Sequence, residues 1–313
     1  MSNHPDDDLK ALQENIEKVL LGKTEVVRLA LVGLLARGHV LIEDVPGVGK
    51  TALARALAGS ISCRFKRIQC TPDLLPSDVT GMNIFDREKN EFEFKHGPLF
   101  ANVVLADEIN RTTPRTQSAL LEAMNDFQIT VDGVTYPLSE PFMVIATQNP
   151  LDYTGTYPLP EPQLDRFLLR LNVGYPSSEY EMEILEMRRN GDPLNHIEPV
   201  VDVDQVKALI SRCREVHVER SVAEYMLNIV DATRHRTDLR AGVSPRGSLS
   251  LYWASQAMAF INNRTYVTPD DVQAVVHPVL QHRLIPRSGR SGQTDESSRA
   301  ILEQILMDIS VPV

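Results

Sequence analysis

The segment from Val40 to Ala54 limits the possible folds of this chain more than any other part of the sequence. It reads VLIEDVPGVGKTALA, which is an apolar run, then a loop with two glycines, then a helical pattern. The apolar run predicts a strand that is buried on both faces, as in a parallel sheet. A strand that enters a helix through such a loop points backbone N–H groups at an anion, so the segment predicts a phosphate-binding loop.

Individual residues of this loop have defined tasks in phosphate binding. Lys50 is expected to reach the β- and γ-phosphates of a nucleotide, and the hydroxyl of Thr51 is expected to bind Mg²⁺. The full pattern has a glycine five residues before Gly49, where this chain has Asp44. The alternative is a chance glycine-rich turn, but the strand before the loop and the helix after it favour phosphate binding.

Short apolar runs and helical patterns alternate over the first half of the chain. This alternation predicts a doubly wound α/β architecture, with a parallel sheet between layers of helices. The predicted strands are His39–Glu43, Phe65–Cys70, Asn102–Ala106, Phe142–Thr147 and Phe167–Val173. The predicted helices between them are Lys50–Ser60, Leu74–Val79 and Thr113–Asp126.

Two segments interrupt the alternation and predict inserted β-hairpins. Ile84–Phe100 contains a charged run followed by the alternating Phe92 and Phe94. Ile129–Leu138 has Asp132-Gly133 between β-prone runs, which is a strong signal for a two-residue hairpin turn.

Strand signals largely stop after residue 176, which predicts a smaller all-helical domain. One of its helices has a clear start signal at Thr268, which precedes a proline and two acidic residues. The predicted helices are Ser178–Arg189, Asp204–Arg214, Ser221–His235, Arg246–Asn262 and Pro269–Gln281. Ile285–Ser298 is rich in Gly, Ser, Arg and Pro and is predicted to be an exposed linker before a last helix, Ser298–Ile309.

A second motif, Val103–Glu108, is an apolar strand that ends in two acidic residues. Asp107 can hold the hydration shell of Mg²⁺, and Glu108 can polarise an attacking water. Many strands end in acidic residues. This one follows the phosphate loop with one strand between them, which favours a catalytic pair.

A third buried strand, Phe142–Thr147, leads to Asn149 at the same predicted edge of the sheet. An amide there can orient the water or sense the γ-phosphate. The alternative is that Asn149 only caps the turn before Pro150.

Two arginines are further candidates. Arg166 follows a proline-rich turn and precedes the last predicted strand, so it is a candidate to reach the nucleotide of a neighbouring subunit; its alternative role is an ion pair with Asp165 or Glu161. Arg246 lies in the first turn of a predicted helix, where a cation is electrostatically unfavourable. That position suggests contact with a γ-phosphate, and the alternative is an ordinary surface arginine.

Composition limits the cellular setting and the partners. The 313 residues carry a formal net charge of −10, and 42% of them are hydrophobic, as in ordinary soluble proteins. The three cysteines form no CxxC pair and the histidines are scattered, so neither a disulfide framework nor a His/Cys metal site is predicted. Residues 1–9 contain three consecutive acidic residues and no apolar core, so a secretory signal is not expected. The most apolar stretch, Val26–Ile42, is too short and too charged to span a membrane. A cytoplasmic location is expected.

Together these motifs resemble those of AAA+ ATPases, and more narrowly those of the MoxR family. The resemblance covers about residues 22–284 and rests on the segments Glu43–Thr51, Asp107–Arg111, Ala146–Pro150 and Leu164–Phe167. Members of that family commonly lack the first glycine of the phosphate loop, so Asp44 fits the family better than the general pattern.

The resemblance implies a division of the chain and a set of site residues. Residues 1–176 would form the AAA+ core with an N-terminal helix and two inserted hairpins, 177–284 a helical lid, and 285–313 a linker and C-terminal helix. The nucleotide contacts would be Gly22, Pro46, Gly47, Val48, Gly49, Lys50, Thr51 and Ala52. Glu108, Asn149 as sensor 1, Arg166 as the arginine finger and Arg246 as sensor 2 would be catalytic. Thr51 and, through water, Asp107 would hold Mg²⁺.

The resemblance also implies a function and partners. The expected activity is Mg²⁺-dependent ATP hydrolysis by a ring, most simply a hexamer, that acts as a chaperone-like remodeller of a client protein. Members of the family often work with a protein that carries a von Willebrand factor A domain. Arg111 and Arg115 follow the acidic pair closely and remain alternatives to Arg166 as the finger.

Two other classes of function are less well supported. A nucleic-acid motor can share the core and the hairpins, but Ile129–Leu138 has no basic residue, and the other hairpin mixes three basic residues with four acidic ones. A GTPase switch would need an NKxD motif, which the sequence does not contain.

These charges generate a testable prediction about DNA. We expect single-stranded and duplex DNA to bind weakly at physiological salt and to leave the rate of ATP hydrolysis unchanged, because an acidic protein repels the phosphate backbone. Fluorescence anisotropy at two salt concentrations and an ATPase assay with added DNA would test this. Sub-micromolar, salt-sensitive binding would favour the nucleic-acid motor instead.

Overall fold

The computed structural model describes residues 5–150, 155–189, 191–287 and 294–312. The strands are β1 (Val40–Glu43), β2 (Ile61–Ser62), β3 (Phe65–Gln69), β4 (Gly81–Asp86), β5 (Glu91–His96), β6 (Val103–Asp107), β7 (Gln128–Val131), β8 (Val134–Pro137), β9 (Met143–Gln148), β10 (Leu169–Leu171), β11 (Val201–Asp202), β12 (Leu239–Ala241) and β13 (Ile285–Pro286).

The helices alternate with the strands up to β10 and dominate after it. They are α1 (Pro5–Glu17), α2 (Thr24–Leu35), α3 (Lys50–Ser60), α4 (Pro76–Thr80), α5 (Pro114–Asp126), α6 (Glu161–Leu164), α7 (Ser178–Arg188), α8 (Val203–Arg214), α9 (Arg220–His235), α10 (Pro245–Ile261), α11 (Pro269–Leu280) and α12 (Thr294–Asp308). Short 3₁₀ turns lie at Ile109–Arg111, Pro193–His196 and Gln281–Arg283.

Five strands form a parallel sheet in the order β10-β1-β9-β6-β3. These are the five strands predicted from the sequence. The apolar residues of β1, β6 and β9 are buried because the sheet is covered on both sides. One face shares a core with α1, α2, α3 and the later helices. The other face packs against α5 and its neighbours.

Both predicted hairpins are present. The first is β4–β5, with Asp86 paired to Glu91 next to the turn. The second is β7–β8, in which Asp132 and Gly133 both have positive φ, as the predicted two-residue turn requires. The hairpins contact each other: Phe94 stacks on Tyr136 with a centroid distance of 4.2 Å.

The residues after β10 form helices α7–α12, with two short strand pairs that the sequence did not indicate. β11 pairs in parallel with β2 of the first half, and β12 pairs with β13. Residues 288–293 of the predicted linker lie outside the described residues. Helix α12 starts at Thr294, four residues before the predicted start. In the described part of the chain, no helix is long and apolar enough to cross a membrane.

A buried histidine joins three elements at the start of the sheet. Val144 N donates to His39 Nδ1 at 3.0 Å, so Nε2 carries the proton and donates to Met124 O at 2.8 Å. The neutral ring therefore satisfies both nitrogens. Burial lowers the pKa of His39 to about 4, although the bond to Met124 acts in the opposite direction.

This environment makes the stability depend on pH in a defined direction. Below pH 6.5 the unfolded chain protonates His39, whereas the folded chain stays neutral until about pH 4, so the contribution of His39 to stability falls as the pH falls through this window. Between pH 7 and pH 5, the free energy of unfolding should drop by about 2 kcal/mol more for the wild type than for His39→Gln.

Urea unfolding at the two pH values measures this difference. The matched control is His196→Gln, at an exposed position, which leaves His39 in place and should keep the pH dependence of the wild type. If the free energy of unfolding had the same pH dependence in His39→Gln and the wild type, His39 would not be the buried neutral group that causes it.

Candidate active site

Three motifs that are far apart in sequence meet at the carboxyl edge of the sheet. β1 runs into the loop before Lys50, β6 ends at Asp107, and β9 leads to Asn149. β9 lies between β1 and β6, so the three strand ends are neighbours. Ligands of open α/β sheets bind at this edge.

The loop between β1 and α3 has the geometry of an anion site. Gly47 and Gly49 have φ of +88° and +101°, which is a conformation that favours glycine. Gly49 precedes α3 without a side-chain cap, which leaves the first-turn N–H groups available to a ligand. Lys50 is only 9% exposed, and its ammonium donates to Asp44 O at 2.5 Å and to Gln148 O at 3.4 Å. Thr51 and Ala52 follow in the same turn.

The acidic residue that replaces the usual glycine has a structural explanation. Asp44 is buried, and its Oδ2 accepts hydrogen bonds from Val173 N at 2.8 Å and Gly174 N at 2.7 Å. Its Oδ1 accepts a bond from Val45 N at 2.8 Å. A glycine could not make these bonds. The carboxylate therefore fastens the phosphate loop to the segment that leaves β10.

Gly22 lies beside the loop, in contact with a residue that sequence reasoning missed. The ring of Tyr180 on α7 packs so closely on Gly22 that an added Cβ would lie 2.2 Å from it. The neighbouring Leu20 would lie 3.6 Å from a Cβ on Gly49. Gly22, Leu20 and Tyr180 thus form a surface next to the loop. The signal in the sequence was an aromatic residue one turn into the helix after Pro176.

The first acidic residue of the pair is held on both oxygens. Thr147 Oγ1 donates to Asp107 Oδ1 at 2.7 Å, and Arg67 Nη2 lies 2.6 Å from Oδ2. Thr147 and Arg67 belong to the two strands that flank β6. Neither residue was singled out from the sequence. The alternation of Arg67 and Gln69 with buried Ile68 on β3 was the available signal.

The second acidic residue has an unusual backbone. Glu108 has φ of +57°, a left-handed conformation that costs a residue with a side chain about 1–3 kcal/mol. Its N–H donates to Thr147 Oγ1 at 2.8 Å, which helps to hold this conformation. Its Oε2 accepts bonds from Arg111 at 2.9 Å and from Gln69 at 3.4 Å. Arg111 therefore contacts the acidic pair of its own subunit.

Asn149 is buried at the end of β9. Its backbone oxygen accepts a bond from Asn110 Nδ2 at 3.4 Å, and Asn110 O accepts one from Tyr157 N at 2.6 Å. Gln117 on α5 also donates to Tyr157 O, at 2.9 Å. These bonds connect Asn149 to the turn that follows Glu108. The alternative role of Asn149, capping the turn before Pro150, stays a prediction, and residues 151–154 lie outside the described residues.

The oxygen donors at this edge suit a hydrated Mg²⁺ ion. Thr51 offers a hydroxyl and Asp107 a carboxylate, and Mg²⁺ prefers a few such ligands together with water and substrate phosphates. Within the described ranges no group of three or more His, Cys, Asp or Glu residues could hold a metal by itself. The residues therefore fit a metal that arrives with a nucleotide.

Arg166 and Arg246 lie at the opposite, amino edge of the sheet. The segment that contains Arg166 runs beside the start of β1, where Leu168 N donates to His39 O at 2.8 Å. β1 has four residues and spans about 13 Å, so this edge is separated from the phosphate loop by the length of the strand. Arg246 Nη2 donates to Asn125 Oδ1 at 2.6 Å, at the end of α5.

The two arginines share one cavity of about 220 Å³. Arg37 and Arg214 also line it, and the Arg214 guanidinium lies 5.5 Å from the centre of the Trp253 ring. Asp165 lines the same cavity, so four arginines and one carboxylate give it a net positive charge that suits an anionic partner.

The alternative ion pairs of Arg166 are engaged elsewhere among the described contacts. Asp165 pairs with Arg283, and Glu161 pairs with Arg240. The structure thus separates the residues predicted as one site into two groups, one at each edge of the sheet.

The chain has relatives that match it over nearly its whole length. It matches the family model described as "ATPase family associated with various cellular activities (AAA)" over residues 39–169, and the AAA lid domain over residues 231–305. An uncharacterised Bacillus subtilis protein named YeaC is 50% identical to it, over 96% of this chain and 93% of the relative. Chaperone MoxR1 of Mycobacterium tuberculosis is 38% identical, over 95% of this chain and 80% of the relative.

A solved structure agrees with these relatives. The crystal structure of a protein from Cytophaga hutchinsonii has a TM-score of 0.88 and 36% identity, and the match covers 99% of this chain and 96% of the other. The phosphate loop and the acidic pair lie in the matched core, and Arg246 lies in the matched lid. The chain binds and hydrolyses ATP, and it belongs to the MoxR family of AAA+ ATPases.

Proposed function

We propose that this chain is a ring-forming, Mg²⁺-dependent ATPase in which each active site is completed by arginines of the neighbouring copy. The separation of the predicted site into two edges carries this proposal. Lys50, Glu108 and Asn149 lie at the carboxyl edge, whereas Arg166 and Arg246 lie at the amino edge and cannot reach the nucleotide of their own subunit. A ring brings the amino edge of one copy to the carboxyl edge of the next.

At the carboxyl edge, each residue has a proposed task. Gly22 and Tyr180 lie where the base would rest, and residues 46–52 surround the phosphates. Lys50 exchanges its bonds to Asp44 O and Gln148 O for phosphate oxygens. Thr51 and, through water, Asp107 hold Mg²⁺, which neutralises charge on the phosphates.

The attacking water is activated by the residues after β6 and β9. Glu108 is held by Arg111 and Gln69, so its carboxylate exchanges one of these partners for the water when it acts as a base. Asn149 orients the same water from the neighbouring strand. Arg111 contacts Glu108 within one subunit, which favours Arg166 over Arg111 as the finger.

ATP turnover would drive a chaperone-like remodelling of client proteins. The relative named Chaperone MoxR1 supports this, as does the surface of the first hairpin. Phe92 is 72% exposed beside exposed Phe85 and Ile84, which is an apolar tip suited to protein rather than to a phosphate backbone. A partner with a von Willebrand factor A domain and a cytoplasmic location are proposed on the family resemblance. The division at residues 176 and 284 belongs to the same proposal.

The first prediction from this proposal separates ATP binding from ATP hydrolysis. Lys50→Ala should abolish ATP binding, because Lys50 contacts phosphate in the ground state. Glu108→Gln should bind ATP with wild-type affinity and lose turnover, because Glu108 acts on the water. Nucleotide affinity and steady-state ATPase rates for both variants measure this. Normal hydrolysis by Glu108→Gln would show that the acidic pair is wrongly assigned. The same variant should trap partner proteins in a pull-down with ATP.

The second prediction tests the shared site. Arg166→Ala should bind ATP normally and lose turnover by about 10³–10⁵-fold, the usual contribution of an arginine supplied by a neighbour. Mixing it with Lys50→Ala should restore part of the turnover. In mixed rings, the intact phosphate loop of an Arg166→Ala subunit meets the intact Arg166 of a Lys50→Ala neighbour.

The complementation pattern provides the controls. Glu108→Gln has an intact amino edge, so it should rescue Arg166→Ala but not Lys50→Ala. Arg246→Ala should follow the pattern of Arg166→Ala, because both arginines lie in one cavity. Arg115→Ala, at an exposed position on α5, serves as the comparison variant. Turnover that is independent of protein concentration, without rescue in any mixture, would show that the site lies within one subunit.

A further inference from the structure

An ion pair between Asp165 and the buried Arg283 joins the segment around Arg166 to the helical lid. Arg283, in the 3₁₀ turn after α11, has a side chain that is only 2% exposed, and its Nε lies 2.8 Å from Asp165 Oδ1. The remaining guanidinium protons reach carbonyl oxygens, including Phe167 O at 2.6 Å and Leu168 O at 3.2 Å. Burial lowers the pKa of Arg283 to about 10 in spite of Asp165. The guanidinium thus contacts the segment around Arg166 at several points.

The second oxygen of the same carboxylate binds another lid residue. Ser244 Oγ donates to Asp165 Oδ2 at 2.9 Å. The same hydroxyl caps α10 by accepting a bond from Gly247 N at 3.3 Å. Asp165 is adjacent to Arg166 in the chain, and Ser244 is two residues before Arg246. One carboxylate therefore ties together the two segments that carry these arginines.

The Arg283 side chain packs closely against the backbone of α10 at Gly247. A Cβ on Gly247 would lie 3.0 Å from Arg283 Cδ and 2.4 Å from Val243 Cγ1. Arg283 can therefore pass the first turn of α10 only because residue 247 has no side chain. A buried ion pair is a poor means of adding stability, since an apolar pair of similar size often serves as well or better. Its position between two functional arginines suggests that it sets their geometry.

We propose that Asp165 is a positioning residue that, by binding Arg283 and Ser244 together, holds Arg166 and Arg246 in the one arrangement that reaches the neighbour's nucleotide. This inference rests on the proposed function, in which Arg166 acts on the neighbouring subunit. It adds the prediction that the lid sets the geometry of the finger.

Asp165→Asn is the first test. The amide keeps the size of the side chain but removes the charge that pairs with Arg283. ATP affinity should stay at the wild-type value, because the phosphate loop is untouched, and turnover should fall by up to about 10²-fold, as expected for a small displacement of a catalytic group. Mixing with Lys50→Ala should restore turnover, whereas mixing with Arg166→Ala should not, because both of those subunits lack a working finger.

A triple variant separates positioning from general destabilisation. If Asp165 acts through the two arginines, then Asp165→Asn in a background of Arg166→Ala and Arg246→Ala should cause no further loss of turnover. A structural defect would instead add to the loss in that background. The matched control is Asp271→Asn. Asp271 is a buried carboxylate that pairs with Arg264 at the far end of α10, about 25 Å from Arg246. It should lower the melting temperature and leave turnover unchanged.

Ser244→Gly decides the case in which Asp165→Asn does not fold. Glycine is tolerated at a helix N-cap at a cost of a few tenths of a kcal/mol relative to serine, so α10 should still form without the hydroxyl that binds Asp165. We expect a smaller loss of turnover with the same complementation pattern. Normal turnover in both the Asp165 and Ser244 variants, or a loss that Lys50→Ala does not rescue, would overturn the proposal. Normal turnover of Arg166→Ala would overturn the shared site as well, so the two failures are distinguishable.

Discussion

The parallel pairing of β1 with β9 and β10 is the constraint on which the rest of the structure depends. The register places Glu43 opposite Gln148, so the loop after β1 and the polar residues after β9 start at the same level. Lys50 can then bind Gln148 O, and Asp44 N can bind the same oxygen. Because the strands are parallel, the residues directly after each strand lie at the carboxyl edge of the sheet, and the residues directly before each strand lie at the amino edge.

This division by strand direction also separates the charges. The carboxyl edge contains the phosphate loop, which suits an anion, and the acidic pair, which suits a cation bound to that anion. The amino edge collects arginines from four different segments in one cavity. The net charge of −10 gives no indication of this local basic surface, because a total charge does not describe how charges are distributed. In the proposed ring, these two edges of neighbouring copies would meet head to tail, and such contacts close into a ring when the rotation permits.

The sequence predicted the five core strands, both hairpins and the motifs because each depends on local patterns: apolar runs, turn residues, and polar residues after strands. It did not reveal the partner of Asp165, since Arg283 is 118 residues away and is brought near only by the packing of the lid. Likewise, the sequence does not explain why Asp44 replaces the usual glycine, since its partners Val173 and Gly174 are brought to it only by the pairing of β1 with β10. The pairing of β2 with β11 involves two residues on each strand, too few to show a periodic pattern.

Two buried or half-buried carboxylates lie at opposite ends of the segment that contains β10. At the carboxyl edge, Asp44 accepts bonds from the N–H groups of Val173 and Gly174, so the phosphate loop is fastened to the chain that enters the lid. At the amino edge, Asp165 is bound by Arg283 and Ser244 of the lid. Between these two carboxylates, β10 is paired to β1 along its whole length, from Leu169 to Leu171. In the proposed ring, a movement of the phosphate loop would be passed to the lid through Asp44, and a movement of the lid would be passed to the segment around Arg166 through Asp165. On the same proposal, β10 would be the connection between the nucleotide of one site and the arginines that complete the next.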